Sequence, residues 1–229
     1  MQKTSQIDHN EIKAVIFDMD NTLFDFVEAK LRACKAVVEL VGETEEMELI
    51  DYFLASGKGI ETLENIADYL KDRNLYTDET YDKSVEVYER VKLDSIEAYD
   101  GVRETLEELK TRGLTLALVT DADEDNAMKR LNKTDLKKYF DIFISTDMTG
   151  KKKPAPDGLL LAIEKLGLKT EEIILVGDSL RRDIDPAKKL GMVTVYAAYG
   201  DRNFLEWKRT NADFIVDHVS ELIGIINGN

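Results

Sequence analysis

The residues able to do chemistry gather in a few short stretches, most of them directly following an apolar run. Asp18 and Asp20 stand two residues apart in Phe17-Asp18-Met19-Asp20-Asn21-Thr22-Leu23. Thr120-Asp121 follows Leu118-Val119. A third stretch is Lys151-Lys152-Lys153-Pro154, and a fourth is Gly177-Asp178-Ser179-Leu180-Arg181-Arg182-Asp183. If these stretches converge, Asp18, Asp20, Asp178 and Asp183 crowd together. Carboxylates that close cannot all stay ionised unaided, and at least one must take up a proton or be compensated. A divalent cation removes the conflict, and oxygen-only ligands select a hard ion, with Mg²⁺ the default.

Such a constellation suits phosphoryl transfer. A carboxylate attacking a phosphate dianion meets repulsion, which a divalent ion and a lysine can neutralise, and that stabilisation is most of the catalytic task. Asp18 is the expected nucleophile and would become a transient aspartyl phosphate. Asp20 would protonate the leaving oxygen and then deprotonate the attacking water. Thr120 and nearby backbone N–H groups would hold phosphate oxygens. The following proline favours Lys153 over Lys151 and Lys152 as the catalytic lysine.

Parallel strands would place these stretches together. Short β-branched runs at 12–17, 114–119, 140–145, 173–176, 193–197 and 214–216 read as strands apolar on both faces. Amphipathic segments at 102–112, 124–131, 156–166 and 186–190 lie between most of them. The alternation predicts an α/β fold, a Rossmann-like parallel sheet with helices on both faces. Ligands in such folds bind beyond the carboxyl ends of the strands. Pro156 and Gly167 bracket one helical segment, and Asp185-Pro186 and Gly191 the next. Residues 25–99 contain no convincing strand and read as helices at about 26–41, 45–54, 60–73 and 79–99. A connection that long is an inserted helical module, a plausible lid over the strand ends. The expected organisation is a loose tail at 1–10, a catalytic core of 11–24 and 100–229, and an all-helical cap of 25–99.

The net charge of −15 argues against nucleic-acid binding and against docking on anionic lipid. It would also repel a phosphate substrate, so a local positive cluster must offset it. No apolar run is long enough to span a bilayer, and the polar N-terminus lacks the apolar centre of a secretory signal. The single cysteine, Cys34, lies in an apolar-periodic segment and reads as a packed core thiol. One thiol cannot form an internal disulfide, which agrees with a reducing, cytoplasmic setting.

Taken in order, the four stretches resemble the motifs of the haloacid dehalogenase-like superfamily. Asp18-Met19-Asp20-Asn21-Thr22 is similar to its first motif, Thr120 to its second, Lys153-Pro154 to its third, and Gly177-Asp178 with Asp183 to its fourth. The likeness covers residues 12 to about 200 and implies a Rossmann-like core with a helical cap inserted after the first motif. It implies that Asp18, the backbone carbonyl of Asp20, and Asp178 coordinate Mg²⁺, with Asp183 binding the metal or orienting its water or Lys153. Asn21 would give backbone contacts to the phosphate. Asp121 stands where many relatives have asparagine, and is a substrate-side residue unless it points away. Asp185-Pro186 departs from a more common pair of small residues. Ser56-Gly57-Lys58-Gly59 resembles a cap loop that reaches the active site in related enzymes, which makes Lys58 a substrate candidate. Arg32 and Lys35 are weaker ones, and Arg181 and Arg182 are expected at solvent or an interface.

The resemblance implies a Mg²⁺-dependent phosphoric monoester hydrolase acting on a small phosphorylated metabolite. The fourth motif looks most like members acting on C2 or C3 phosphates such as phosphoglycolate or glyceraldehyde 3-phosphate. A phosphomutase on the same scaffold is the alternative. Dehalogenases of this family lack an acid two residues after the nucleophile, so Asp20 counts against that activity. An inactive binding protein would be expected to have lost part of the constellation. Monomer and homodimer both fit.

Overall fold

The computed structural model describes residues 12–44, 48–55, 62–202 and 210–228. The expected tail at 1–10 and the Ser56-Gly57-Lys58-Gly59 stretch lie outside the described residues. Two compact units emerge, one of Met1–Asp25 with Glu97–Asn229 and one of Phe26–Ile96.

The first unit is built on six parallel strands: β1 (Ala14–Phe17), β2 (Thr115–Val119), β3 (Ile142–Ile144), β4 (Ile173–Gly177), β5 (Val193–Ala197) and β6 (Phe214–Val216). Their order across the sheet is β3-β2-β1-β4-β5-β6. Every residue of β1, β4 and β5 is buried. Successive side chains point to opposite faces, so both faces of the sheet are covered. That is why these strands read as nearly continuous apolar runs, broken only by Thr194 in β5, rather than as alternating ones. Ile16, Leu175 and Tyr196 join Val119, Ile144, Leu159 and Ile184 in one core.

The second unit is all helical among the described residues: α1 (Phe26–Leu40), α2 (Glu48–Ala55), α3 (Glu64–Asp72) and α4 (Asp78–Asp94). Its core is separate and includes Val37, Leu49, Ile66 and Leu70, with Phe53 stacked on Tyr88 at 5.1 Å between ring centroids. Cys34 is buried in this core, and burial pushes its thiol up to about 12 despite Lys30 and Lys92 nearby. It is a packing residue, since the thiolate needed for nucleophilic chemistry is suppressed. The helix expected over 79–99 stops at Asp94. Beyond it the Tyr99 N–H donates to the Leu23 carbonyl at 3.0 Å, and Ala98 bridges Phe24. These sheet-like contacts, made by Phe24 and Ala98 beside the boundary with the helical unit, take the place of a last helical turn.

Back in the first unit, the described residues also form α5 (Val102–Thr111), α6 (Glu124–Lys133), α7 (Thr146–Thr149), α8 (Asp157–Leu166), α9 (Asp185–Lys189) and α10 (Glu221–Asn227). Two expected boundaries hold in detail. Asp123 caps α6 by accepting from the Asn126 N–H at 2.9 Å, and Gly167 ends α8 at φ 64°. Two differ. The run at 140–145 pairs only over Ile142–Ile144, because Ser145 already turns into α7. The helix expected at 186–190 spans Asp185–Lys189 and is entered directly from a wide, π-type turn over Leu180–Ile184.

Candidate active site

The order of strands in the sheet runs outward in opposite directions from β1 and β4. Connections on either side diverge there and leave a crevice at the carboxyl ends of the strands. Phe17 stands level with Leu118 on β2 and Val176 on β4. Asp18, Thr120 and Asp178 therefore leave the sheet within one residue of a common level. The sheet register by itself brings three of the four stretches to one place.

Asp18 extends the ladder by one bond, its N–H donating to the Val176 carbonyl at 2.9 Å, and its side chain is buried. Lys153 Nζ donates to Asp18 Oδ1 and, at 2.5 Å, to Asp183 Oδ1. Lys151 and Lys152 are exposed and Lys153 is buried, which settles which lysine enters the crevice. Asp121 fixes that loop: its Oδ1 accepts the Lys153 backbone N–H at 2.7 Å. Thr120 is buried and its Oγ1 accepts the Ala122 N–H at 3.2 Å, bracing the turn that follows β2.

Asp183 is fully buried and its Oδ2 accepts the Ser179 N–H at 3.1 Å. The wide turn over Leu180–Ile184 swings this carboxylate back over the end of β4, a use often found for π-type turns. It packs against Gly177, where an added Cβ would fall 2.5 Å from the Asp183 Cβ, so the glycine of the fourth stretch is a steric requirement. Asp18, Asp178 and Asp183 each offer an oxygen within 4.8 Å of the others.

Burial pushes the Asp178 carboxyl well above the usual range, and the charges of Asp18 and Asp183 push it further. Burial also raises Asp183, to about 6, although Lys153 opposes it. For Lys153 burial favours the neutral amine, but Asp18 and Asp183 outweigh it and hold the ammonium above its ordinary value. Arg182 behaves alike, with Asp18, Asp183, Asp178 and Asp121 overcoming the effect of burial. Arg182 was expected at solvent or an interface. Instead it lies among these carboxylates, with Nη1 3.6 Å from Asp121 Oδ2, because the wide turn rotates it inward while Arg181 stays exposed. Four carboxylates, Asp18, Asp121, Asp178 and Asp183, thus face two cations, Lys153 and Arg182. The surplus of two negative charges is what one divalent cation would cancel. Asp178 Oδ1 is buried and makes no hydrogen bond among the described residues, as a ligand oxygen would. The donor set is all oxygen, so these residues fit a hard divalent cation.

The turn after β1 is held from several sides. Asn21 adopts φ 62°, a left-handed conformation that asparagine tolerates, and its N–H donates to the Phe24 carbonyl at 2.9 Å. Thr22 Oγ1 lies 3.4 Å from Asp18 Oδ2. Asp20 Oδ2 accepts from Arg130 Nη1 at 2.7 Å, and Arg130 is only 2% exposed. Behind the turn, Tyr199 OH donates to the Thr22 carbonyl at 2.8 Å. Burial keeps that phenol protonated, with Tyr99, Asp178 and Asp18 adding to the effect.

Arg130, Tyr199 and Gly200 had no part in the sequence expectation. Arg130 carried a readable signal, since it shares the buried face of α6 with Ala127 and Leu131 at helical spacing. An arginine on an apolar stripe asks for a buried partner. Tyr199-Gly200 follows β5, a strand end whose polar content gave no hint. Lys58 lies outside the described residues. Arg32 and Lys35 are exposed and pair along α1 with Glu28 and Glu39.

Residues 15–197 match a family described as haloacid dehalogenase-like hydrolase. A glyceraldehyde 3-phosphate phosphatase of Methanocaldococcus jannaschii is 29% identical, over 94% of this chain and 97% of its own. A phosphoglycolate phosphatase of Nitrosospira multiformis is 33% identical, over 94% of this chain and 96% of its own. Among solved structures, one from Thermotoga maritima provisionally named a β-phosphoglucomutase superposes with a TM-score of 0.79 at 27% identity. It covers 94% of this chain and 99% of that one.

Proposed function

The chain belongs to the haloacid dehalogenase-like hydrolase family, and on that premise we propose that it is a Mg²⁺-dependent phosphatase of small phosphorylated metabolites. The observation that carries the reading is the position of Asp18. It is buried at the end of β1, salt-bridged to Lys153, and within 4.8 Å of carboxylate oxygens of Asp178 and Asp183. A nucleophile for a phosphate dianion needs cationic neighbours, a fixed direction and little competing water.

Asp18 attacks phosphorus, and the bond to the leaving oxygen breaks with its electron pair going to that oxygen. Asp20 delivers the proton that oxygen needs, then takes one from the water that cleaves the aspartyl phosphate. Lys153, locked by Asp183 and by the Asp121 contact to its backbone, offsets charge on the nucleophile and on the transferring oxygens. Arg182 adds to the local positive potential that an acidic protein otherwise lacks. The Thr120 hydroxyl is proposed to hold phosphate oxygens, whereas the Asn21 N–H, expected to share that task, donates to the Phe24 carbonyl instead. Asp18, Asp178, Asp183 and the Asp20 carbonyl are the proposed Mg²⁺ ligands. When bound, the ion supplies charge neutralisation at the phosphate.

The curated relatives suggest the substrate class, a C2 or C3 phosphate such as phosphoglycolate or glyceraldehyde 3-phosphate. The Phe26–Ile96 unit is the proposed cap, with Lys58 the cap residue proposed to meet the substrate. The lone thiol, Cys34, buried and inert, suits a cytoplasmic setting. Among the described residues no helix is long and apolar enough to cross a membrane.

The test is phosphate release from a panel of small phosphorylated metabolites, with Mg²⁺ or with excess chelator, beside Asp18→Asn. Release that requires both the ion and Asp18 supports the reading. Turnover by a clean Asp18→Asn preparation would overturn the nucleophile. Transfer of the phosphoryl group to a second hydroxyl of the substrate, without net release, would identify the mutase suggested by the Thermotoga structure.

A further inference from the structure

Arg130 is the most buried arginine contact of the site, and neither the motifs nor the proposed chemistry assigns it a task. It reaches from the second turn of α6 to Asp20, the two residues being 110 apart in sequence. Its backbone carbonyl is tied to Thr134 Oγ1 at 2.9 Å, and its side chain is 3% exposed against 23% for Asp20. A long side chain held that deeply has lost its rotamer freedom and its water, so its direction is fixed by the helix that carries it. Asp123, which caps α6, also lies in the field of Arg130 and is held below the usual carboxylate range, where the bonds from Asn126 outweigh the raising effect of burial. The cation therefore stands at a junction between the turn after β1 and the first turn after β2.

The guanidinium has donors only. The oxygen that it touches, Asp20 Oδ2, is therefore an acceptor whichever charge state Asp20 takes. The carbonyl oxygen of a carboxylic acid is its better acceptor, so the contact to Oδ2 favours Oδ1 as the oxygen that carries the acid proton. We infer that Arg130 is a positioning residue that assigns the two oxygens of Asp20 different tasks, Oδ2 as the anchored acceptor and Oδ1 as the oxygen that gives and takes the proton. This rests on the phosphatase reading above and deepens it. In the first step the electron pair of the breaking P–O bond goes to the leaving oxygen, which receives the Oδ1 proton. In the second, Oδ1 takes a proton from water as hydroxide bonds to phosphorus, and the Asp18 carboxylate departs with its electron pair. Asp20 ends as it began. Without Arg130 the carboxyl rotates among orientations in which a protonated oxygen does not face the ester.

A structural prop and a positioning residue differ in how they respond to the leaving group. An aliphatic alkoxide must be protonated as it leaves, whereas p-nitrophenolate departs without help. The readout is kcat/KM, which ends at the first irreversible step, for p-nitrophenyl phosphate and for the best aliphatic phosphate of the metabolite panel. General acid catalysis contributes about 10²–10⁴-fold. Arg130→Met should lower kcat/KM on the aliphatic ester by roughly 10–100-fold and on p-nitrophenyl phosphate by no more than about 3-fold. Asp20→Asn should show the same selectivity, more strongly. The double variant should be no worse on the aliphatic ester than Asp20→Asn, since a residue acting through another adds nothing once its partner is gone. Because removing a buried cation threatens the fold, Arg130→Lys is measured in parallel and should give a smaller loss of the same selectivity.

Equal losses on both esters in Arg130→Met or Arg130→Lys, or additive losses in the double variant, would overturn the assignment and leave Arg130 a structural pair. Absence of selectivity in Asp20→Asn would remove the acid role of Asp20 itself, and the inference with it. Loss of all turnover in Asp18→Asn together with an unselective Arg130→Met separates failure of this inference from failure of the phosphatase reading.

Discussion

Gly200→Ala tests how tightly the turn carrying Asp18 and Asp20 is held. Gly200 has no left-handed φ, so alanine can adopt its backbone conformation without torsional strain. The added Cβ, however, would fall 1.7 Å from the carbonyl oxygen of Asn21 and 2.8 Å from its carbonyl carbon. Carbon and oxygen need more than 3 Å, so the backbones must part by more than about 1 Å, a displacement that flexible side-chain tips cannot absorb. Asp178 Cβ lies 3.2 Å away on the other side, which restricts the direction of escape. The Tyr199 bond to the Thr22 carbonyl ties the same two segments together and must stretch with them. Overpacking of this kind costs about 1–3 kcal/mol of stability. Misplacement of reacting groups by about 1 Å costs on the order of 10²-fold in rate. Gly200→Ala should therefore unfold at lower urea and lose roughly 100-fold in kcat, with most of the fold kept. Gly167→Ala is the control. Gly167 ends α8 at φ 64° with open space around it, so alanine there should cost about 1 kcal/mol and leave kcat unchanged. Wild-type stability and turnover in Gly200→Ala would refute the close approach of these two segments and the rigidity assigned to the turn.

Two further outcomes follow from the acid cluster, both measured without turnover. Mg²⁺ at about a hundred times its Kd should add roughly 2.7 kcal/mol to the unfolding free energy, and Asp178→Ala should abolish that gain; an unchanged shift in the variant would place the ion elsewhere. In metal-free protein the Asp183 carboxyl keeps its proton to about pH 6 when folded, against about 4 when unfolded. The folded chain then binds more protons in that window, so this group's contribution to stability is full below about pH 4 and falls as pH rises through about 6. Urea unfolding should show a decline with pH that is shallower in Asp183→Asn, and identical slopes would mean that Asp183 is not held protonated by its burial.

The parallel sheet was legible because strands buried on both faces are apolar at nearly every position, as 14–17, 173–177 and 193–197 are, with the buried Thr194 satisfied by Asp213. The chemistry of the site was legible because three of the four motifs sit just past a strand, where register alone brings Asp18, Thr120 and Asp178 to within one residue of a common level. Charge was legible as a conflict needing a cation. Sequence could not say where side chains turn once they leave the strands. Arg182 was expected outward, and the wide turn over Leu180–Ile184 brings it in, a backbone geometry with no signature in residue type. Asp121 looked like a charge beside the phosphate, and a bond to the Lys153 backbone, 32 residues away, gives it a structural task. Arg130 and Gly200 matter through partners 110 and 179 residues distant, Asp20 and Asn21. Periodicity and local propensity report on a residue's own element, so they determined the strands, the inserted helices and the reactive groups. Which cation meets which carboxylate, and which backbones touch, depends on contacts distant in sequence, and only the tertiary structure decided them.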